Sequence, residues 1–237
     1  MSALQDFTAW VRSFVEEVRA NIAFTLDRDP AATSSIEVLL AYPGIHALIL
    51  HRVSATLLRA EIPVLPRLLS HVGRCLTGIE IHPGAQISSP CLIDHGMGVV
   101  IGETARIGQR CHLHQGVTLG GASRRRAQRH PMFGDDVLVG AGASIIGAVT
   151  VGDGARIGAG AVVVSNVPKY STVVGVPGHV VAYYDPGDDT VLRLPDPEHD
   201  RIEHLEAEIA ELRADLRRLR ELSASGSEPR EGTAAGG

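Results

Sequence analysis

Two stretches decide the fold: IEIHPGAQISSPCLIDHGMGVVIGETARIGQRCHLHQGVTLGG (residues 79–121) and FGDDVLVGAGASIIGAVTVGDGARIGAGAVV (residues 133–163). In the first, Ile81, Ile87, Ile93 and Val99 recur at six; after a slip of two residues, Ile101, Ile107, Leu113 and Leu119 resume the count. In the second, Phe133, Val139, Ile145, Val151, Ile157 and Val163 keep it without a slip. Glycine follows the aliphatic in most later units, as in Ile107-Gly108 and Val151-Gly152, and a small residue often stands four places on, as at Ala105, Ala143, Ala155 and Ala161. A period of six matches neither the 3.6 of a helix nor simple strand alternation. It is the signature of a parallel β-helix, with short strands for faces, tight turns for corners and stacked aliphatics for a core. A merely Gly/Ala/Val-rich segment does not account for so many in-phase returns.

Working outward, residues 1–78 read as an α-helical domain. Leu4, Phe7, Val11, Phe14, Val18 and Ile22 form one face of an amphipathic helix running to about Leu26. A second helical pattern starts at the capping pair Ser34-Ser35 and breaks at Pro43, a third runs from Gly44 to Ala60, and a last one ends near Gly78. The solenoid itself spans 79–182. Residues 183–200, rich in Pro, Asp and Gly, read as a linker. Ile202, Leu205, Ile209, Leu212, Leu216 and Leu219 alternate spacings of three and four, which predicts a C-terminal coiled coil over 201–222. Residues 223–237 are small and polar and are expected to be a disordered tail.

Composition narrows the function. The chain of 237 residues has a net charge of −5, which gives no bias toward nucleic acid. There is no apolar run long enough to span a bilayer and no signal-peptide pattern, so a cytoplasmic protein is expected. The three cysteines, Cys75, Cys91 and Cys111, lack CxxC spacing and read as reduced, buried small hydrophobes.

The largest irregularity lies between Leu119 and Phe133, where 14 positions replace six, so about eight residues within Gly120–Met132 must bulge from the coil. Arg124–Arg126 reads as a solvated tip, and Arg129-His130-Pro131, where the loop rejoins the wall, is the better candidate for a site. His95 sits just before the two-residue slip, beside an irregular turn. Its imidazole could take a proton from a hydroxyl, or it could be a surface histidine. Glu80 stands one coil edge earlier as a candidate acidic partner.

The ordered set IEIHPGA, IDHGMGVVIGET, QGVTLGG, RHP and GVPG, together with Arg28-Asp29-Pro30, resembles the serine O-acetyltransferases over roughly residues 28–181. The resemblance implies a left-handed parallel β-helix and active sites between neighbouring subunits of a homotrimer, alone or paired into a hexamer. It makes His95 the general base and Glu80, where many members have Asp, its orienting acid. It implies that Asp29 and Asp94 contact the amino group of L-serine and that Arg129 and His130 contact its carboxylate. Acetyl-CoA, the co-substrate, would lie along the solenoid groove near Gly121, Ala141 and Gly160. No metal is implied. The chain departs from the family in its Arg124–Arg126 run, its added coiled coil and its Gly-Gly end, where many members carry an isoleucine peptide that docks into O-acetylserine sulfhydrylase. No stable complex with that enzyme is therefore expected.

Three other readings stand beside this one. The first is a hexapeptide acetyltransferase with a different hydroxyl or amine acceptor. The second is a metal lyase holding zinc through His95, His112 and His114. The third is a catalytically inert structural trimer.

Overall fold

A computed structural model describes residues 3–187, 190–194 and 197–225. Four helices come first: α1 (Ala3–Arg28), α2 (Ser35–Ala41), α3 (Pro43–Arg59) and α4 (Leu65–Thr77). Ser34 caps α2, its side chain accepting the Glu37 N–H at 3.2 Å. Pro43 opens α3, where a missing N–H costs nothing. Gly78 ends α4 in the left-handed conformation, φ 72°, which a side chain would strain.

The solenoid then winds as a left-handed parallel β-helix with three faces. One face stacks β1 (Glu80–Ile81), β4 (Val100–Ile101), β7 (Thr118–Gly120), β10 (Ser144–Ile146) and β13 (Val162–Val163). A second stacks β2 (Gln86–Ile87), β5 (Arg106–Ile107), β8 (Met132–Phe133) and β11 (Thr150–Val151). The third contains β3 (Cys91–Ile93), β6 (Cys111–Leu113), β9 (Leu138–Val139), β12 (Arg156–Ile157) and β14 (Ser171–Val174). The regular coil advances 18 residues, as in Ser144 against Val162, which is three hexapeptides. Ile145, Val151, Ile157 and their in-phase neighbours are wholly buried, which makes one continuous aliphatic core.

Departures from 18 locate the irregularities. Glu80 pairs with Val100, a step of 20, while Val100 pairs with Thr118, so the two extra residues fall between β3 and β4, in the turn that carries His95. Thr118 pairs with Ser144, a step of 26, so eight extra residues leave the coil between β7 and β8, where the sequence places them.

The first coil has no coil beneath it, and its inward-facing polar groups are met from the helices. Ser70 of α4 donates to Ile81 O at 2.6 Å, and His51 Nε2 of α3 donates to Ala85 O at 3.1 Å. Asn21 Oδ1 of α1 accepts the Cys91 N–H at 2.9 Å. Each bond satisfies a group that would otherwise be buried without a partner. Contact is so close that a Cβ on Gly44 of α3 would lie 2.1 Å from Ile93 O. The helical segment is thus the plug of the solenoid.

At the other end the sequence reading is corrected. In place of a linker from 183, β14 pairs antiparallel with β15 (His179–Asp185), which pairs with β16 (Thr190–Arg193). This hairpin covers the last solenoid edge, a liability if left open. The Pro-Gly sequence at 186–187 that suggested a linker lies instead at the hairpin turn. Cys91 and Cys111 are buried as expected, but Cys75 is exposed, because it faces outward on α4. A separate unit, Pro195–Gly237, holds α5 (Pro197–Ser225), on which Ile202, Leu205, Ile209, Leu212, Leu216 and Leu219 are all exposed. The expected tail from 223 is corrected at its start, where residues 223–225 continue α5; residues 226–237 lie outside the described residues. No single helix among those described is long and apolar enough to cross a membrane.

Candidate active site

His95 occupies the enlarged turn between β3 and β4, with φ 57° and its side chain 75% exposed. Asp94, only 17% exposed, points its carboxylate to the same corner, 3.9 Å from His95 Nε2. The turn is held by glycines that admit no side chain: a Cβ on Gly96 would lie 2.4 Å from Ile79 Cδ1, and one on Gly78 would lie 2.4 Å from Met97 Sδ. The His95 turn therefore packs on residues 78–79, next to Glu80. Glu80 itself pairs with Arg74 Nη1 at 3.0 Å.

Asp29, after α1, reaches the same region. The Tyr42 hydroxyl donates to Asp29 Oδ2 at 2.6 Å and the Ala31 N–H to Oδ1 at 2.8 Å. These two bonds, with a smaller contribution from the nearby His95 and His112, hold the Asp29 carboxyl below the usual range. Two acids thus converge on the His95 turn, with His112 and His114 behind Asp94. The His112 and His114 rings lie 4.4 Å apart, centroid to centroid, and their nitrogens approach Asp94 Oδ2 at 3.8 and 3.3 Å.

The same corner continues along the solenoid. Gly98, Gly116, Gly142 and Gly160 all have φ between 68° and 77°, and each donates its N–H to the coil before, Gly160 to Ala141 O at 2.8 Å. A Cβ added at Gly142 or Gly160 would meet nothing within 4 Å. Glycine is required there by the backbone turn and leaves open backbone beside it. The structure thus brings Ala141 and Gly160 together, in line with the corner of His95.

Arg129, His130 and Gly121 form a second group, at the corner between β7 and β8 where the eight-residue loop leaves and rejoins. Thr104 organises it. Its hydroxyl oxygen accepts the backbone N–H groups of Arg129 and His130 at 3.1 and 3.2 Å, and lies 2.9 Å from His130 Nδ1, to which the hydroxyl donates. The Thr104 N–H also donates to Nδ1, at 3.1 Å. His130 is buried, and burial followed by Arg129 lowers its readiness to take a proton. Its Nε2 therefore carries the hydrogen and looks over Gly121, where a Cβ would stand 3.0 Å away. Arg129 Nη2 pairs with Glu103 at 2.7 Å, which keeps that carboxyl below its usual range.

Residues 130–165 match the family model described as bacterial transferase hexapeptide (six repeats). A curated serine acetyltransferase of Synechococcus elongatus is 49% identical over 201 residues, 80% of this chain and 82% of its own. The chain belongs to the serine acetyltransferase family. A solved serine acetyltransferase of Neisseria gonorrhoeae, in complex with serine, superposes with a TM-score of 0.69 at 40% identity, covering 71% of this chain and 69% of that one. A serine acetyltransferase complex with CoA superposes with a TM-score of 0.69 at 36% identity, covering 72% and 70%.

As a member of that family, the chain is an acyltransferase, and its six polar candidates fall into two groups. Asp29, Asp94 and His95 gather around one solenoid corner, while Glu80, on β1, has its carboxylate paired with Arg74 of α4; Arg129 and His130 stand at the next corner. Sequence reading missed Tyr42, Arg74, Glu103 and Thr104, each of which fixes a candidate side chain. Thr104 was within reach, since it lies in the quoted IGET motif; the pairing of Tyr42 with Asp29 joins two helices and has no local signal.

Proposed function

We propose that the chain transfers the acetyl group of acetyl-CoA to the hydroxyl of L-serine, giving O-acetylserine and CoA, a step toward cysteine. The observation that carries this reading is the convergence of Asp29 and Asp94 on the exposed His95, within a chain of this family. Two carboxylates suit an ammonium group, and Arg129 with the Nε2–H of His130 suits a carboxylate. The one amino acid would bridge both groups when a neighbouring solenoid sets its second corner against the first, which a homotrimer does.

In this reading the His95 imidazole takes the hydroxyl proton of serine as its oxygen attacks the thioester carbon. The new C–O bond forms, the C–S bond breaks, and the imidazolium returns the proton to the departing CoA thiolate. Glu80, beside the His95 turn, orients and charge-stabilises the imidazole. The pantetheine arm follows the open glycine corner through Gly116, Ala141, Gly142 and Gly160, with Gly121 on the facing wall. General-base attack on a thioester runs without a metal ion. The exposed apolar stripe of α5 closes a three-stranded coiled coil that clamps the trimer.

The test follows CoA release with L-serine against homoserine, sugar and antibiotic acceptors. Selective turnover of L-serine is expected; preference for any other acceptor overturns the assignment.

A further inference from the structure

Asp94, His112 and His114 stand together on the outside of two adjacent coils. His112 and His114 are two apart along the β6 edge and so share one face. Asp94 lies one coil away, its N–H bonded to Leu113 O at 2.8 Å between them. Among the described residues this is the one group whose His, Cys or acidic ligand atoms, three or more, all lie within 4.8 Å of one another. Two of the separations are 3.3 and 3.8 Å. Ligands placed about 2.0–2.1 Å from a tetrahedral ion are about 3.4 Å apart, so the three atoms already approach the edges of a zinc coordination sphere. His112 Nε2 supplies an independent sign. It is buried and has no hydrogen-bond partner, an expensive state for a ring nitrogen.

We propose that Asp94, His112 and His114 bind one divalent transition-metal ion of the Zn²⁺ type, and that the bound ion inhibits transfer by withdrawing Asp94 from the acceptor. Two imidazoles and one carboxylate favour a borderline ion over Mg²⁺ or Ca²⁺, which select oxygen ligands. Three protein ligands leave the fourth position to water. The ion takes no part in the reaction, and His95 is outside its ligand set. The inhibitory half rests on the reading of Asp94 as a contact to the serine amino group; the binding half does not.

The experiment uses the untagged full chain, stripped with chelator and titrated with Zn²⁺ by calorimetry and with Co²⁺ by visible spectroscopy. One Zn²⁺ per chain is expected, with Co²⁺ giving the strong visible bands of a four-coordinate nitrogen and oxygen site. The double variant His112→Gln, His114→Gln should bind at least about 10-fold more weakly, and its serine turnover, read against its own metal-free rate, should no longer respond to Zn²⁺. His114→Gln alone, at the more exposed position, serves if the double variant melts early. Zn²⁺ should inhibit the parent competitively with serine and spare the variants. Equal binding by parent and variants overturns the site, as does a thiolate-to-cobalt band, which would place the ion at Cys75 and His71, 3.9 Å apart. Stoichiometric binding with no effect on serine overturns the inhibitory half and, with it, the role of Asp94. Absent binding with normal serine turnover leaves the function standing and removes the metal.

Discussion

The Tyr42 hydroxyl grips the Asp29 carboxylate at 2.6 Å, fastening the end of α1 to the start of α3. The contact shifts both partners: Asp29 is held below the carboxylate range, and the Tyr42 phenol is pushed up to about 12, chiefly by that hydrogen bond. Tyr42 touches neither the reacting hydroxyl nor the thioester in the proposed mechanism. It is a positioning residue for the amino-group contact.

Tyr42→Phe should therefore raise KM for L-serine while sparing kcat. Losing one hydrogen bond worth about 1 kcal/mol corresponds to a change of roughly fivefold. Because Asp29 keeps its bond from the Ala31 N–H, the loss should stay moderate. A fall in kcat at constant KM would show that Tyr42 acts on chemistry instead.

His95 is expected to carry the largest single effect. Its left-handed backbone, φ 57°, is tolerated best by Asn among non-glycine residues, so His95→Asn removes the base with least strain. Since the side chain is 75% exposed, the melting temperature should hardly move. Turnover should drop by about 10² to 10⁴, the usual worth of a general acid-base group. A well-folded variant with a near-parent rate refutes the mechanism.

Glu80 offers a charge test. Its carboxylate pairs with Arg74 on α4, and its backbone follows residues 78–79 on which the His95 turn packs; in the proposed role either acid length should serve. Glu80→Asp is expected to keep much more activity than Glu80→Gln. Comparable losses in kcat would mean that charge at this position is not required.

These residues also mark how far the sequence could be read. The six-residue period places Ile81 to Val163 in the core because only stacked coils bury a residue at that spacing, and the step from Glu80 to Val100 matches the two-residue slip. The eight-residue loop was equally legible, since extra residues in a coil of fixed length must leave it. Less legible was how each side chain is held. Thr104 fixes His130 across 26 positions and Tyr42 fixes Asp29 across 13, and neither contact leaves a periodic trace. The hairpin after the solenoid was misread because Pro and Gly signal a chain reversal without saying whether strands flank it. Strand β15 is fixed by the open edge of β14, a tertiary fact.

That same plug and edge logic sets the response to acid. His51 lies buried in α3 and donates from Nε2 to Ala85 O; burial, its largest influence, pushes it down to about 4. An unfolded chain takes up this proton below about 6.5, whereas the folded chain resists until about 4, so the unfolded state binds more protons in between. Stability is therefore complete above about pH 6.5 and is lost as pH falls toward 4. From pH 6.5 to 5, one such group costs about 2 kcal/mol. His51→Gln keeps an N–H donor for Ala85 but does not titrate, so denaturant unfolding should show a smaller difference between pH 7 and pH 5 than in the parent. Some drop should remain, because His82, His112 and His130 are also lowered, chiefly by burial. An unchanged difference would mean that His51 is not where the helical plug yields to acid.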